Sequence, residues 1–275
     1  MRTLYITDLD GTFFDNNGTV SNKSRRIINA LTQKGLLFSV ATARSSMTAK
    51  DLLKGLHITA PIVLMNGVFL YDLEKNRAVS FHEIAPLPFS QVVAAFGQYN
   101  KAPMLFLYGD DGQLSIQYTR LDLQVNRDFY NARKKVLGER FRKVDALQIP
   151  AGQHAVYVNL VDTFDSLKPI TELLKKIAGV TFSFYADTYT DYWFLEVYSA
   201  DASKANGANA VKALVNADRL VVFGDNYNDI TLFAAADEAY AVENAVDELK
   251  AQATAVIASN EQDGVASYLW KQMQT

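Results

Sequence analysis

The sequence predicts an α/β protein, a parallel-sheet core domain interrupted by an inserted second domain of α+β character. Three observations carry this. Short apolar, β-prone runs alternate with helical periods at the start of the chain. The same rhythm returns near the end. Between them lies a stretch of paired strand signals with helices grouped beside them.

The opening segment reads βαβαβ. Thr3 to Thr7 is a short apolar run that ends at an Asp-Leu-Asp-Gly turn. Ser21 is a natural helix N-cap, Ile27, Ile28 and Leu31 keep helical spacing, and Gly35 stops the helix. Leu36 to Ala41 reads as a buried strand, Met47 to Leu56 as a modest helix, and Ile62 to Met65 as a third strand after Pro61. The Asn66-Gly67 turn then leads into a hairpin, 68–71 with 78–81.

In the middle segment the patterns predict helices over 89–99, 129–137 and 166–177, and strands over 104–108, 114–118, 156–161 and 182–185. The final segment gives helices over 203–215, 230–236 and 264–271, and strands over 220–223, 239–242 and 254–257. The core domain is therefore expected from residues 1–83 and 192–275, and the insert from 84–191.

Composition sets limits. The chain has 275 residues, 49% of them apolar, enough for a packed core. Its 27 Lys and Arg against 30 Asp and Glu leave a net charge of −3, so the cationic signature of a nucleic-acid surface is missing. With no cysteine there are no disulfides or thiolate metal sites. No apolar run approaches the roughly 18 residues of a membrane span, and the N-terminus lacks a signal-peptide pattern. A soluble cytoplasmic protein is expected, without nucleic-acid or membrane partners. Whether it is a monomer or a dimer is open.

Two acidic loops stand out. Asp8-Leu9-Asp10-Gly11-Thr12 follows the first strand run, and Gly224-Asp225-Asn226-Tyr227-Asn228-Asp229 follows the apolar run 220–223. In open α/β sheets ligands bind beyond the carboxyl ends of strands. If the two strands are neighbours, Asp8, Asp10, Asp225 and Asp229 converge, and carboxylates this close need a cation between them. Oxygen donors without His or Cys favour magnesium over zinc.

These motifs resemble those of the haloacid dehalogenase-like superfamily, in its Cof-type branch with an inserted α/β cap. Asp8 to Thr12 is similar to its first motif, Thr42 to the second, Lys204 to the third and Gly224 to Asp229 to the fourth. Asn66-Gly67, Ala241-Val242-Glu243-Asn244-Ala245 and Glu261-Gln262-Asp263-Gly264-Val265 also fit this branch. Ala43 and Ala205 stand where the branch often has glycine, and neither position supplies a reactive group.

The resemblance implies a Rossmann-like core and a magnesium-dependent phosphatase acting on small phosphorylated metabolites, sugar phosphates first. Asp8 would be the nucleophile, forming an aspartyl-phosphate. Asp10 would be the acid and base. Thr42 and Lys204 would stabilise charge. Asp8, the carbonyl of Asp10, Asp225 and Asp229 would hold Mg2+. Gly11, Thr12, Ala43, Arg44, Asn66, Gly67, Asn228 and Asn244 would line the substrate site, and the cap would set specificity. A phosphomutase, which would yield an isomer and not free phosphate, is the alternative enzyme. A non-catalytic phosphometabolite-binding protein is the alternative outside enzymes, and the intact Asp8/Asp10 pair speaks against it.

The aromatic stretch 182–194, with Phe184, Tyr185, Tyr189, Tyr192 and Trp193, reads as a packed strand. The basic run 133–143 reads as a solvated helix face. His57, His82 and His154 lack metal-ligand spacing and read as structural.

Overall fold

The computed structural model describes residues 1–187 and 190–274. The chain divides into two compact units, one of residues 1–80 and 202–275, the other of Phe81–Asp201. The first begins with β1 (Thr3–Thr7), α1 (Asn22–Gln33), β2 (Leu37–Val40), α2 (Ser46–Leu52), β3 (Ile62–Leu64), β4 (Phe69–Asp72) and β5 (Arg77–Phe81). The second holds α3 (Pro86–Gln98), β6 (Met104–Gly109), β7 (Leu114–Tyr118), α4 (Gln124–Leu137), β8 (Phe141–Lys143), β9 (Gln153–Asp162), α5 (Phe164–Leu174), β10 (Val180–Ala186) and β11 (Trp193–Ser199). The chain returns to the first unit with α6 (Lys204–Leu214), β12 (Arg219–Gly224), α7 (Ile230–Ala234), β13 (Glu238–Val242), α8 (Asp247–Lys250), β14 (Ala255–Ile257) and α9 (Gly264–Gln272).

In the first unit a five-stranded sheet runs β14-β13-β12-β1-β2, and every pairing is parallel. The apolar run of β1 registers against β12, Ile6 opposite Val222, because both strands are buried on both faces. The order places β1 and β12 side by side, with the chain going on from β1 to β2 on one side and from β12 to β13 on the other, the kind of switch point at whose carboxyl ends open α/β sheets bind ligands. β3 joins beyond β2 through one parallel bridge, Ala41 to Val63, and otherwise pairs antiparallel with β4. The third strand of the βαβαβ reading is thus shared between the core sheet and a small sheet β3-β4-β5.

Helix ends follow local chemistry. The Ser21 side chain accepts from the Ser24 amide and opens α1, and Gly35, with φ +96°, takes the left-handed turn after it. Ser203 caps α6 in the same way, accepting from Asn206. Gly207 lets α6 lie directly on Val63, since a methyl group there would sit 2.5 Å from a Val63 methyl.

The second unit is a six-stranded sheet, β10-β11-β9-β6-β7-β8, antiparallel except for β7 with β8. Phe89, Val92 and Phe96 of α3 and Leu167, Ile170 and Leu174 of α5 share a core with Leu105, Leu107, Val158, Leu160, Leu195 and Val197.

Two expectations change here. β11 pairs with β9 and β10, so residues up to Asp201 group with the insert, beyond the expected boundary at 191. The mid-strand Glu196 breaks the apolar pattern of β11 and hides it. The basic run is not one helix face: Arg133, Lys134 and Lys135 lie on α4, Arg140 on a 3₁₀ turn, and Arg142 and Lys143 on β8. A parallel edge strand of three residues has no local signature. The aromatic stretch is packed, with Phe184 against Phe164 and Trp193, and Tyr185 stacked on Phe194. Tyr189 lies outside the described residues.

Glu196 is buried, and burial pushes its carboxyl up to about 7, against the opposing hydroxyls of Tyr157, at 2.7 Å, and Tyr185. In the unfolded chain a glutamate titrates near 4.5. The folded state therefore keeps its proton where the unfolded state has lost it, and stability falls as pH rises from about 4.5 to about 7. The loss is on the order of 3 kcal/mol. Melting temperatures of the parent and of Glu196→Gln across this window check it. The glutamine variant should show a flatter pH dependence, and identical slopes would contradict the assignment.

Candidate active site

The Asp8 amide donates to the Phe223 carbonyl at 2.9 Å, one step beyond the paired strands. The nucleophile candidate is thereby fixed at the carboxyl end of β1 against β12. After it the chain folds sharply, and the amides of Thr12, Phe13 and Phe14 all turn back to the Leu9 carbonyl. Gly11 sits at the bend with φ +78°, and any side chain there would run into the Asp225 carboxylate. The Thr12 hydroxyl donates to Asp225 Oδ1 at 2.7 Å.

The loop after β12 brings the second pair of acids. Asp229 Oδ2 accepts from the amides of Asp225 and Asn226, at 3.0 and 3.2 Å, so its own loop holds it in place. One carboxylate oxygen from each of Asp8, Asp225 and Asp229 lies within 4.8 Å of the others.

Lys204, the first residue of α6, enters this cluster fully buried. Its Nζ donates to Asp8 Oδ1 at 2.5 Å and to Asp229 Oδ1 at 2.7 Å. Burial alone would strip its proton, but Asp229 and Asp8 outweigh that and hold the ammonium charged. Burial pushes the Asp8 carboxyl well up. Lys204 opposes that shift, while Asp229 and Asp225 reinforce it. Burial likewise pushes Asp225 up to about 6, helped by Asp229 and countered by the Thr12 hydroxyl.

Three carboxylates thus face one ammonium, an excess of two negative charges. The donors are all hard oxygens. Both facts fit a divalent cation, which would offset the repulsion that adds to burial in raising Asp8 and Asp225.

Asp10 stands apart, its carboxylate half exposed and held by both arms of Arg44, Nε at 2.7 Å and Nη2 at 2.6 Å. Arg44 is placed through its neighbours: its amide donates to Thr42 Oγ1 and its carbonyl accepts from Met65. The Thr42 amide donates to Val63 and its carbonyl accepts from Asn66. Met65, Asn66 and Gly67 all have positive φ. Gly67 lies against the Ser203 backbone, where no side chain fits, so this turn also sets the start of α6 and with it Lys204.

The structure therefore gathers Asp8, Gly11, Thr12, Lys204, Asp225 and Asp229 at one place, with Asp10, Thr42 and Arg44 linked to each other beside them. Ala43 is half-buried between Thr42 and Arg44, and Asn66 and Gly67 are buried in their turn. Asn228 is exposed on the 3₁₀ turn Tyr227–Asp229. Asn244 spends its amide on the Gly11 carbonyl at 2.7 Å. Asn260 escaped notice in the sequence. It binds Asn244 and the Phe14 carbonyl, and its only signal was its place immediately before the 261–265 motif.

Replacing Lys204 by Met should leave the buried carboxylates without their ammonium. Removing one partner of a buried ion pair costs about 3–5 kcal/mol. A urea titration in chelator should show the loss, and added divalent metal should restore part of it. An unchanged midpoint in chelator would contradict this charge balance.

Comparison with known proteins identifies the family. A family model described as haloacid dehalogenase-like hydrolase matches residues 5–269. A 5-amino-6-(5-phospho-D-ribitylamino)uracil phosphatase of Bacillus subtilis is 26% identical over 283 aligned positions, covering 95% of each chain. A pyridoxal phosphate phosphatase of Escherichia coli is 24% identical over 276 positions, covering 97% of each. The solved structure of a haloacid dehalogenase-like hydrolase from B. subtilis superposes with a TM-score of 0.77 at 18% identity, covering 99% of this chain and 100% of that one, a likeness of fold. With the family model spanning both halves of the core and the insert, this chain belongs to the haloacid dehalogenase-like hydrolases, in their Cof-type branch.

Proposed function

We propose that this chain, a phosphoric monoester hydrolase of its family, removes phosphate from small phosphorylated metabolites in the cytoplasm with the help of Mg2+. The observation that carries the reading is the convergence of Asp8, Lys204, Asp225 and Asp229 at the carboxyl ends of β1 and β12, with Asp10 two residues from Asp8. Sugar and polyol phosphates are the first substrate class. One relative is named for a phosphoribityl compound, which is a polyol phosphate.

In this mechanism an Asp8 carboxylate oxygen attacks phosphorus as the bond to the leaving oxygen breaks. Asp10 donates its proton to that oxygen. A water then attacks the aspartyl-phosphate, Asp10 takes the water's proton, and the Asp8–phosphorus linkage breaks to free inorganic phosphate. Lys204 holds Asp8 in place and offsets the charge that gathers on the phosphoryl oxygens. Arg44 orients Asp10 through its two-point contact. Thr42 would donate to a phosphate oxygen. The carboxylates of Asp8, Asp225 and Asp229 and the carbonyl of Asp10 would hold the cation, which when bound supplies positive charge to the phosphoryl group. The inserted unit is assigned the choice of substrate.

A phosphate-release screen over sugar, polyol and cofactor phosphates tests the proposal. Turnover should require Mg2+ and vanish with chelator. Asp8→Asn should abolish it and Asp10→Asn should lower kcat strongly. Full activity of Asp8→Asn, or release that ignores chelator, would sink the reading.

A further inference from the structure

We propose that Asn244 and Asn260 are positioning residues that keep the metal-binding carboxylates in register, although neither reaches them. The proposal rests on the magnesium reading above. Its origin is a chain of hydrogen bonds from the C-terminal turn to Asp225. The backbone amide of Asn260 donates to Asn244 Oδ1 at 3.1 Å. That bond turns the other end of the Asn244 amide, Nδ2, to the Gly11 carbonyl at 2.7 Å. The orientation of the amide is thus forced by two partners, one donor and one acceptor.

The Gly11 carbonyl belongs to the peptide that leads into Thr12, and the Thr12 hydroxyl donates to Asp225 Oδ1. Fixing that peptide plane fixes where the hydroxyl points. Gly11 itself is packed so closely on Asp225 that even a methyl group has no room. The Gly11–Thr12 segment thus meets the Asp225 carboxylate twice, by the hydroxyl hydrogen bond and by close packing.

Asn260 pins the far side of the same loop. It is buried, and its Nδ2 donates to the Phe14 carbonyl at 3.0 Å and to Asn16 Oδ1 at 3.1 Å. Its neighbour Glu261 accepts from the Asn16 amide at 2.6 Å. Asp263, in the same turn, takes hydrogen bonds from the Ser21 and Ser24 hydroxyls at the start of α1. The turn 259–263 is thus tied to the whole segment that follows Asp8 and Asp10. Sequence motifs near the C-terminus, which supply no reactive group, thereby act on the site from behind the loop. Groups that orient metal ligands from outside the coordination shell are worth about 10–100-fold in metal affinity.

Mg2+ titration of the purified full chain, followed by calorimetry, is the deciding measurement. Asn244→Ala and Asn260→Ala should each weaken Mg2+ binding about 10-fold or more, and lower kcat more than they raise KM. Folded variants that bind Mg2+ as tightly as the parent would overturn the proposal, even where their melting temperature drops. Should either alanine variant fail to fold, Asn244→Asp decides, since it keeps the acceptor for Asn260 and turns the donor to the Gly11 carbonyl into a repelling carboxylate oxygen. A parent that ignores Mg2+ would defeat the magnesium reading and not this one. Hydrogen exchange at amides 12–14 then decides, with faster exchange in Asn244→Asp expected and unchanged protection overturning the idea.

Discussion

The buried ammonium of Lys204 between Asp8 and Asp229 is the constraint on which the first unit depends. A buried charge costs several kcal/mol unless it is paired and hydrogen-bonded, and here three elements must meet to pair it. β1 delivers Asp8, the loop after β12 delivers Asp229, and the first turn of α6 delivers Lys204. Parallel pairing of β1 with β12 brings the two loops together. Gly67 and Gly207 let α6 approach closely enough, one against the Ser203 backbone and the other against Val63. The packing of apolar strands and the placing of the ions are therefore one problem with one solution.

The same arrangement leaves the site electrostatically unfinished. Lys204 answers one negative charge of three, and burial, reinforced by the neighbouring carboxylates, pushes the carboxyls of Asp8 and Asp225 upward. Asp10 lies outside this cluster, its carboxylate held by Arg44. Two aspartates only two residues apart thus receive different surroundings, one buried and held by an ammonium, the other half exposed and held by a guanidinium. The two carboxyls therefore meet different electrostatic surroundings at the same strand end.

The second unit solves a separate folding problem. Its sheet hides one face under α3 and α5 and keeps a carboxyl, Glu196, in its interior. That carboxyl is tolerated because tyrosine hydroxyls reach it and because it holds its proton to near neutrality. It is also the reason β11 did not read as a strand.

The sequence by itself determined the α/β class, the order of most elements and the identity of the acids. β1 and β7 have the boundaries that the apolar runs indicate, because strand periodicity and Gly or Asp punctuation are local properties. Asp8 to Thr12 and Gly224 to Asp229 were legible because their chemistry lies in contiguous residues. Tertiary structure alone decided the rest. Pairing partners sit far apart in the chain, so β11 could be recognised only beside β9 and β10. The link from Asn260 through Asn244 to Gly11 joins residues more than two hundred positions apart, and the Arg44 grip on Asp10 spans two loops. Such contacts depend on which strands become neighbours. That choice is made by burial of the whole core, which no local pattern encodes.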